Sequence, residues 1–319
     1  MNTRHSKWRR SVLAWAFGVP LVLSAGCSDQ QETSASDGPN AQESERSREL
    51  GTRSPLPEPV QQLDIDGNEY TFSISPDPSA PLKSGWTLLN FNNVGIEAHQ
   101  VMFARIKDGV DLAELAEAGA DDSSGAGAIE FVDMIGGVSY IGAGHDTTAL
   151  VNLESGTVMA MCYVPDPNGK AHALSGMSTA LTVEEADGAA PTTASVPGGD
   201  EALGTIELSE DGYLFPERLD EGWYRVRNTD SALHELSLME LDRPLDDDET
   251  DTLVRELADN QEPSVELEAV GGMGAISPGF DGYLYLDLDP GEYLAVDFMP
   301  DPGVPTPHMV DGYYATFTV

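Results

Sequence analysis

Only two cysteines, Cys27 and Cys162, occur in the 319 residues, too few for a disulfide framework. Basic residues are scarce as well: 16 Lys and Arg stand against 55 Asp and Glu, giving a formal net charge of −39. Such a surface repels nucleic acid and anionic headgroups, so a nucleic-acid partner is excluded. It favours cationic partners or hydrated salt, and a saline habitat accounts for it more simply than a dedicated basic partner. Long apolar runs are missing beyond the N-terminus, so no later stretch is long enough to cross a bilayer as a helix. Histidine is sparse too, with six residues and no His-x-His pair.

What is present begins with a positive cluster, Arg4, Lys7, Arg9 and Arg10, followed by the apolar stretch "SVLAWAFGVPLVLSA" and then Gly26 and Cys27. The pattern is that of an export signal rather than a spanning helix. The segment "LSAGC" resembles the lipobox of bacterial lipoproteins, with Ser24 where leucine is commonest; "WRRSVL" faintly resembles a twin-arginine signal. The resemblance implies that residues 1–27 form a lipoprotein signal, that Cys27 is the lipidated mature N-terminus, and that the protein is a cell-membrane lipoprotein facing the periplasm or the extracellular side. Two or more acyl chains give stable anchoring without a span. Removing residues 1–26 takes away four basic and no acidic residues, so the charge moves from −39 to −43. With Cys27 claimed by lipid, Cys162 has no partner, and a lone thiol in an oxidising compartment implies burial, metal ligation or reactivity.

Residues 28–56 are polar and lack apolar periodicity, which predicts a disordered tether. Residues 185–202 have linker composition. Between and after them lie domains over 57–184 and 203–319, and these are repeats of each other. "NNVGIEAHQVMFARI" answers "RNTDSALHELSLMEL", with Asn93 and His99 matching Asn228 and His234. Acidic, helix-like inserts follow in both: "DGVDLAELAEAGADD" and "DDDETDTLVRELADN". "GGVSYIGAGHD" and "GGMGAISPGFD" are again offset by 135 residues. "MAMCYVPDPNGKAHALSGM" answers "LAVDFMPDPGVPTPHMVDGY" with one extra residue before the histidine.

Short period-2 runs such as "EYTFSIS", "WTLLNFNN", "HQVMFARI" and "TVMAMCYV", with "GWYRVRN", "HELSLMEL" and "EYLAVDFM" in the second repeat, predict strands separated by Gly, Pro, Asn and Asp turns. The same period puts His99 and Met102 on opposite strand faces. The expected fold is all-β: two tandem antiparallel sandwiches, each with a helical insert.

"NNVGIEAHQVMF" resembles the Asn-x-Gly…His element of plastocyanin-like cupredoxins. The Cys-x9-His-x4-Met segment formed by Cys162, His172 and Met177 resembles their ligand loop, and with Pro165, Ser175 and Gly176 it is similar in length to that of the copper nitrite reductases. The resemblance implies Greek-key cupredoxin-like domains and one copper ion in the first, held by His99, Cys162, His172 and Met177. Two imidazoles, a thiolate and a weak thioether make a type 1 copper set. Lengthening the loop from three residues to nine adds only about 1 kcal/mol of closure entropy. Each residue has an ordinary alternative: Cys162 as a small buried hydrophobe, Met177 as core filler, His99 and His172 as hydrogen-bonding loop histidines. In the second repeat His234 and His308 persist, but Asp297 replaces the cysteine and Tyr313 the methionine. A set of His234, Asp297 and His308 suits a harder divalent ion or none, the histidines then bonding loops together.

An enzymatic reading finds no support. The catalytic copper of nitrite reductases uses histidines at positions occupied here by Met161 and Ala104, and multicopper oxidases need the missing His-x-His pairs. No nucleophile elbow is present, and His145 reads as a loop histidine. The expectation is a membrane-anchored, extracytoplasmic copper protein for single-electron transfer or copper handling, with a redox protein partner. The alternative is a metal-free cupredoxin-like surface lipoprotein for adhesion or protein contact.

Overall fold

A computed structural model describes residues 49–120, 126–186 and 196–319. The signal with Cys27, the tether up to residue 48 and linker residues 187–195 lie outside the described residues. The end of the expected tether is ordered: Leu50 is buried, and strand β1 (Ser54–Pro55) pairs with the second repeat. The linker likewise ends early, since Trp223 Nε1 donates to Pro197 O at 2.6 Å and a strand begins at Glu201. Among the described residues no helix is long and apolar enough to cross a membrane.

The first repeat contains β2 (Gln61–Asn68), β3 (Thr71–Ser75), β4 (Leu82–Lys83), β5 (Gly85–Asn93), β6 (His99–Ile106), β7 (Val132–Ile141), β8 (Asp146–Leu153), β9 (Gly156–Met161) and β10 (Ser178–Glu184). The second contains β11 (Glu201–Ser209), β12 (Gly212–Leu214), β13 (Gly222–Asn228), β14 (His234–Leu241), β15 (Leu267–Ile276), β16 (Asp281–Leu286), β17 (Glu292–Val296) and β18 (Tyr314–Thr318). The expected inserts form helices α1 (Leu112–Ala120) and α2 (Asp247–Ala258). Helix α2 starts on a capping box in which Asp246 accepts from the Glu249 amide and Glu249 bonds back, satisfying donors that the first turn leaves open.

The chain crosses repeatedly between two sheets, as in a Greek-key sandwich. Each repeat closes over its own core. Leu63, Phe91, Val101, Phe103, Val138 and Val151 fill the first, and Ile206, Tyr224, Leu236, Leu238, Met273 and Leu284 fill the second. Each such fully buried large side chain contributes roughly 1.5–3 kcal/mol. Val101 and Phe103 point into the first core, while Met102 and Ala104 point out of the sheet, as period 2 predicts.

The two sandwiches do not hang separately from the linker; their sheets are continuous. One sheet runs β1-β11-β13-β16-β8-β5-β2-β3, with β12 on β11, and the other runs β18-β17-β14-β15-β7-β6-β9-β10-β4. The joins are β7 with β15 and β8 with β16, both antiparallel. Val138 faces Met273 and Ala149 faces Leu284, and each pair is separated by the 135-residue repeat offset. Ile141 faces Val270 while Ile135 faces Ile276, which are again exchanged by that offset. The repeats are therefore related by a local two-fold axis, and the join has the self-complementary form of a symmetric dimer interface.

Candidate metal centre

The upstream histidine is placed by an asparagine. Asn93, the last residue of β5, donates through Nδ2 to Glu97 O at 2.7 Å and Ile141 O at 2.9 Å, and its Oδ1 accepts from Gly95 N. This ties the 94–98 loop to β7 and fixes where His99 enters β6. Asn228 does the same in the second repeat through Ala232 O and Ile276 O, both at 2.7 Å. The shared Asn-to-His spacing thus has a structural cause.

The downstream residues sit on a loop closed on itself. Asp166 Oδ1 accepts from Asn168 N and Lys170 N, and Pro165 bridges to Ala171. His172 N then donates to Val164 O at 2.9 Å, Ala173 N to Cys162 O at 2.7 Å, and Cys162 N to Met177 O at 3.1 Å. The nine-residue spacer is consequently a small hairpin that returns His172 to Cys162.

The three donors converge. His99 Nδ1 lies 3.1 Å from His172 Nδ1, and Cys162 Sγ lies 3.5 Å from His172 Nδ1 and 4.0 Å from His99 Nδ1. All three residues are fully buried. Met177, also fully buried, packs in the same cluster as Cys162, with Ala98 and Val164. The outer ring nitrogens face carboxylates: His172 Nε2 is 3.0 Å from Glu97 Oε2, and His99 Nε2 is 3.7 Å from Glu69 Oε1. The Gln100 amide points at Cys162 Sγ from 3.5 Å. Glu69, Glu97 and Gln100 are functional neighbours that no sequence motif announces, although two of them lie within two residues of His99.

Burial, reinforced by His172, lowers the His99 pKa to about 4; burial also lowers that of His172, with Glu97 working against it. Burial pushes the Cys162 thiol up to about 12. At neutral pH both imidazoles are therefore in the neutral, ligating form, and the thiol must release its proton when an ion binds. The residues fit a metal. Donor separations of 3.1–4.0 Å can be spanned by one ion with bonds of about 2.0–2.3 Å, and the donor types are those of a copper thiolate site.

The second repeat brings His234, Asp297 and His308 together in the same place. Here hydrogen bonds join the set: Asp297 Oδ2 is 2.6 Å from His234 Nδ1 and 3.0 Å from His308 Nδ1. Asp230 lies 3.0 Å from His234 Nε2, and Asp301 lies 3.4 Å from His308 Nε2. Burial opposes the charged form of His308, yet Asp297 and Asp301 carry its pKa upward. Tyr313, at the methionine position, stacks on His234 with centroids 4.0 Å apart. In the second repeat a carboxylate thus stands where the first has the thiol, and it joins the two imidazoles by hydrogen bonds. His145 lies away from both sets and pairs with Glu268 across the join of the repeats, at 2.6 Å.

No protein-family model matches this sequence, and no curated protein matches it. Among solved structures, an auracyanin from Roseiflexus castenholzii is similar at 18% identity and TM-score 0.27, over 40% of this chain and 99% of its own. Auracyanin B matches at 18% identity and TM-score 0.29, over 42% and 99%. A blue copper oxidase from Nitrosomonas europaea matches at 16% identity and TM-score 0.23, over 80% and 85%. Likenesses at these scores decide nothing about chemistry, which rests on the donor geometry.

Proposed function

We propose that the first sandwich binds one copper ion through His99, Cys162 and His172, with Met177 as the weak fourth donor, and serves single-electron transfer or copper handling outside the cytoplasm. The observation that carries this reading is the convergence of two buried Nδ1 atoms and one buried Sγ, contributed by segments 63 and 73 residues apart. Copper so held supplies a reversible one-electron couple. The chain's own part is to keep that set dry and fixed. Glu97 and Glu69 place negative charge beside the outer nitrogens of the imidazoles, the Gln100 backbone amide orients the sulfur, and the closed 166–170 turn fixes the distance from Cys162 to His172.

Lipid on Cys27 would hold the protein at a membrane, on the periplasmic or extracellular side. Val94, Ile96 and Leu174 are exposed close in sequence to the two histidines, with Ile96 at 83%. They suit brief contact with a redox protein partner, which the acidic surface would favour as cationic. The second repeat, whose triad is closed by hydrogen bonds, serves as the structural mate of the first.

The test is to load the chain with copper(II) and record its visible spectrum. An intense thiolate-to-copper band that vanishes in Cys162→Ser supports the proposal. A colourless protein that takes up no copper at this set overturns it and leaves the metal-free, protein-contact reading.

A further inference from the structure

The outer faces of the two repeats differ. In the second, Leu253 and Val254 of α2 close over Leu241, Leu294 and Val296 and seal the face. In the first, the shorter α1 covers the equivalent face without filling it and leaves a cavity of about 410 Å³. Its wall carries five of the chain's ten methionines: Met102, Met134, Met159, Met161 and Met299.

Their arrangement follows from register. Met102 on β6 is directly opposite Met161 on β9, and Ala104 is opposite both Met159 and Met134. Four thioethers therefore project from the same face of three adjacent strands, and long side chains reach diagonal neighbours at that spacing. Met299 comes from the second repeat. At the 135-residue offset Met102, Met134, Met159 and Met161 correspond to Ser237, Ala269, Leu294 and Val296. Packing this face therefore does not require methionine. Gln100, whose buried Oε1 has no hydrogen-bond partner among the described residues, also lines the cavity, as does the buried Glu235.

Flexible, polarisable thioethers prefer soft cations, copper(I) above all among biological ions. We infer that this methionine-lined cavity is a second metal site, taking copper(I) on thioethers, with Gln100 and Glu235 supplying oxygen at its floor. It lies behind the first site, since Gln100 lines the cavity with its side chain while its amide faces Cys162 Sγ. The inference deepens the copper-handling reading but does not need Cys162.

The test uses the full chain carrying Cys162→Ser. Copper(I), and silver(I) as its redox-inert probe, are titrated against a chromophoric chelator while methionine methyl resonances are followed by NMR. The expected result is tight uptake that shifts the methyls of the five cavity methionines and leaves Met239, Met273 and Met309 in place. Adding Met102→Leu with Met161→Leu, close to volume-conserving changes, should weaken uptake roughly tenfold or more. No uptake, uptake that leaves the cavity methyls unmoved, or equal affinity in the leucine variant would overturn the inference. Because Cys162 is absent throughout, these outcomes are independent of whether the wild-type chain shows a copper–thiolate band.

Discussion

His99 Nδ1 and His172 Nδ1 lie 3.1 Å apart although 73 residues separate them, and neither ring turns toward solvent. Two carboxylates, those of Glu97 and Glu69, stand behind them. Glu97, 3.0 Å from His172 Nε2, is the closer of the two. Glu97→Gln keeps the size of the side chain and removes the negative charge beside the outer ring nitrogen. Copper affinity should fall about 10- to 100-fold, the usual cost of losing such an outer contact, while the shape of the visible band is retained. A competition titration checks this, and unchanged affinity would show that Glu97 does not orient the ring.

A second expectation concerns pH. Burial, with Asp297 adding repulsion, pushes the Glu235 carboxyl up to about 8. Between about 4.5 and 8 the folded state holds a proton that the unfolded state has released. Stability from this group is thus complete at low pH and is lost as pH rises through that window. Glu235→Gln removes the titration. Relative to wild type, the variant should gain stability from about pH 5 to about pH 8 and level off above that, as read by denaturant unfolding. A difference that is flat with pH would contradict the assignment.

Much of the candidate site was legible in the sequence, because Cys162, His172 and Met177 share one short segment and His99 is marked by its asparagine. The repeat was legible through its constant offset, and helices α1 and α2 through their acidic amphipathic runs. The joining of the sheets was not. Strands β7 and β15 carry the pairs Gly136–Gly137 and Gly271–Gly272, which weaken any strand pattern, and edge pairing between repeats leaves no local periodicity. The methionine cavity was equally hidden: Met102, Met134, Met159 and Met299 meet only through register and the packing of the second repeat. Glu69 reaches His99 from the turn after β2, a contact no spacing rule encodes.

Those glycines permit a close approach. Gly137 has φ of 135°, and a Cβ there would sit 2.1 Å from Val101 O; Gly272, with φ of 128°, would meet Leu236 O in the same way. Gly137→Ala therefore adds a backbone clash to a conformational strain of about 1–3 kcal/mol. Gly144→Ala provides the control: its φ is also positive, at 81°, but nothing lies within 4 Å of the added carbon. Unfolding in denaturant should show Gly137→Ala as clearly the more destabilising. Equal losses would mean that the approach of β6 to β7 is not tight.

The local two-fold axis leads to a prediction about the first repeat alone. Removing residues beyond 186 uncovers β7 and β8 as long apolar edges, which pair readily with other strands. The partner these edges are shaped for is their own copy, since Val138 now faces Met273, its counterpart at the repeat offset. In a symmetric pair of first repeats Val138 would face Val138, and Ile135 would face Ile141. Light scattering on the isolated 57–186 fragment should therefore report a dimer. A fragment that stays monomeric at concentrations well above those where the full chain is a single species would show that the join depends on residues particular to the second repeat, and not on the symmetry of the duplicated edge.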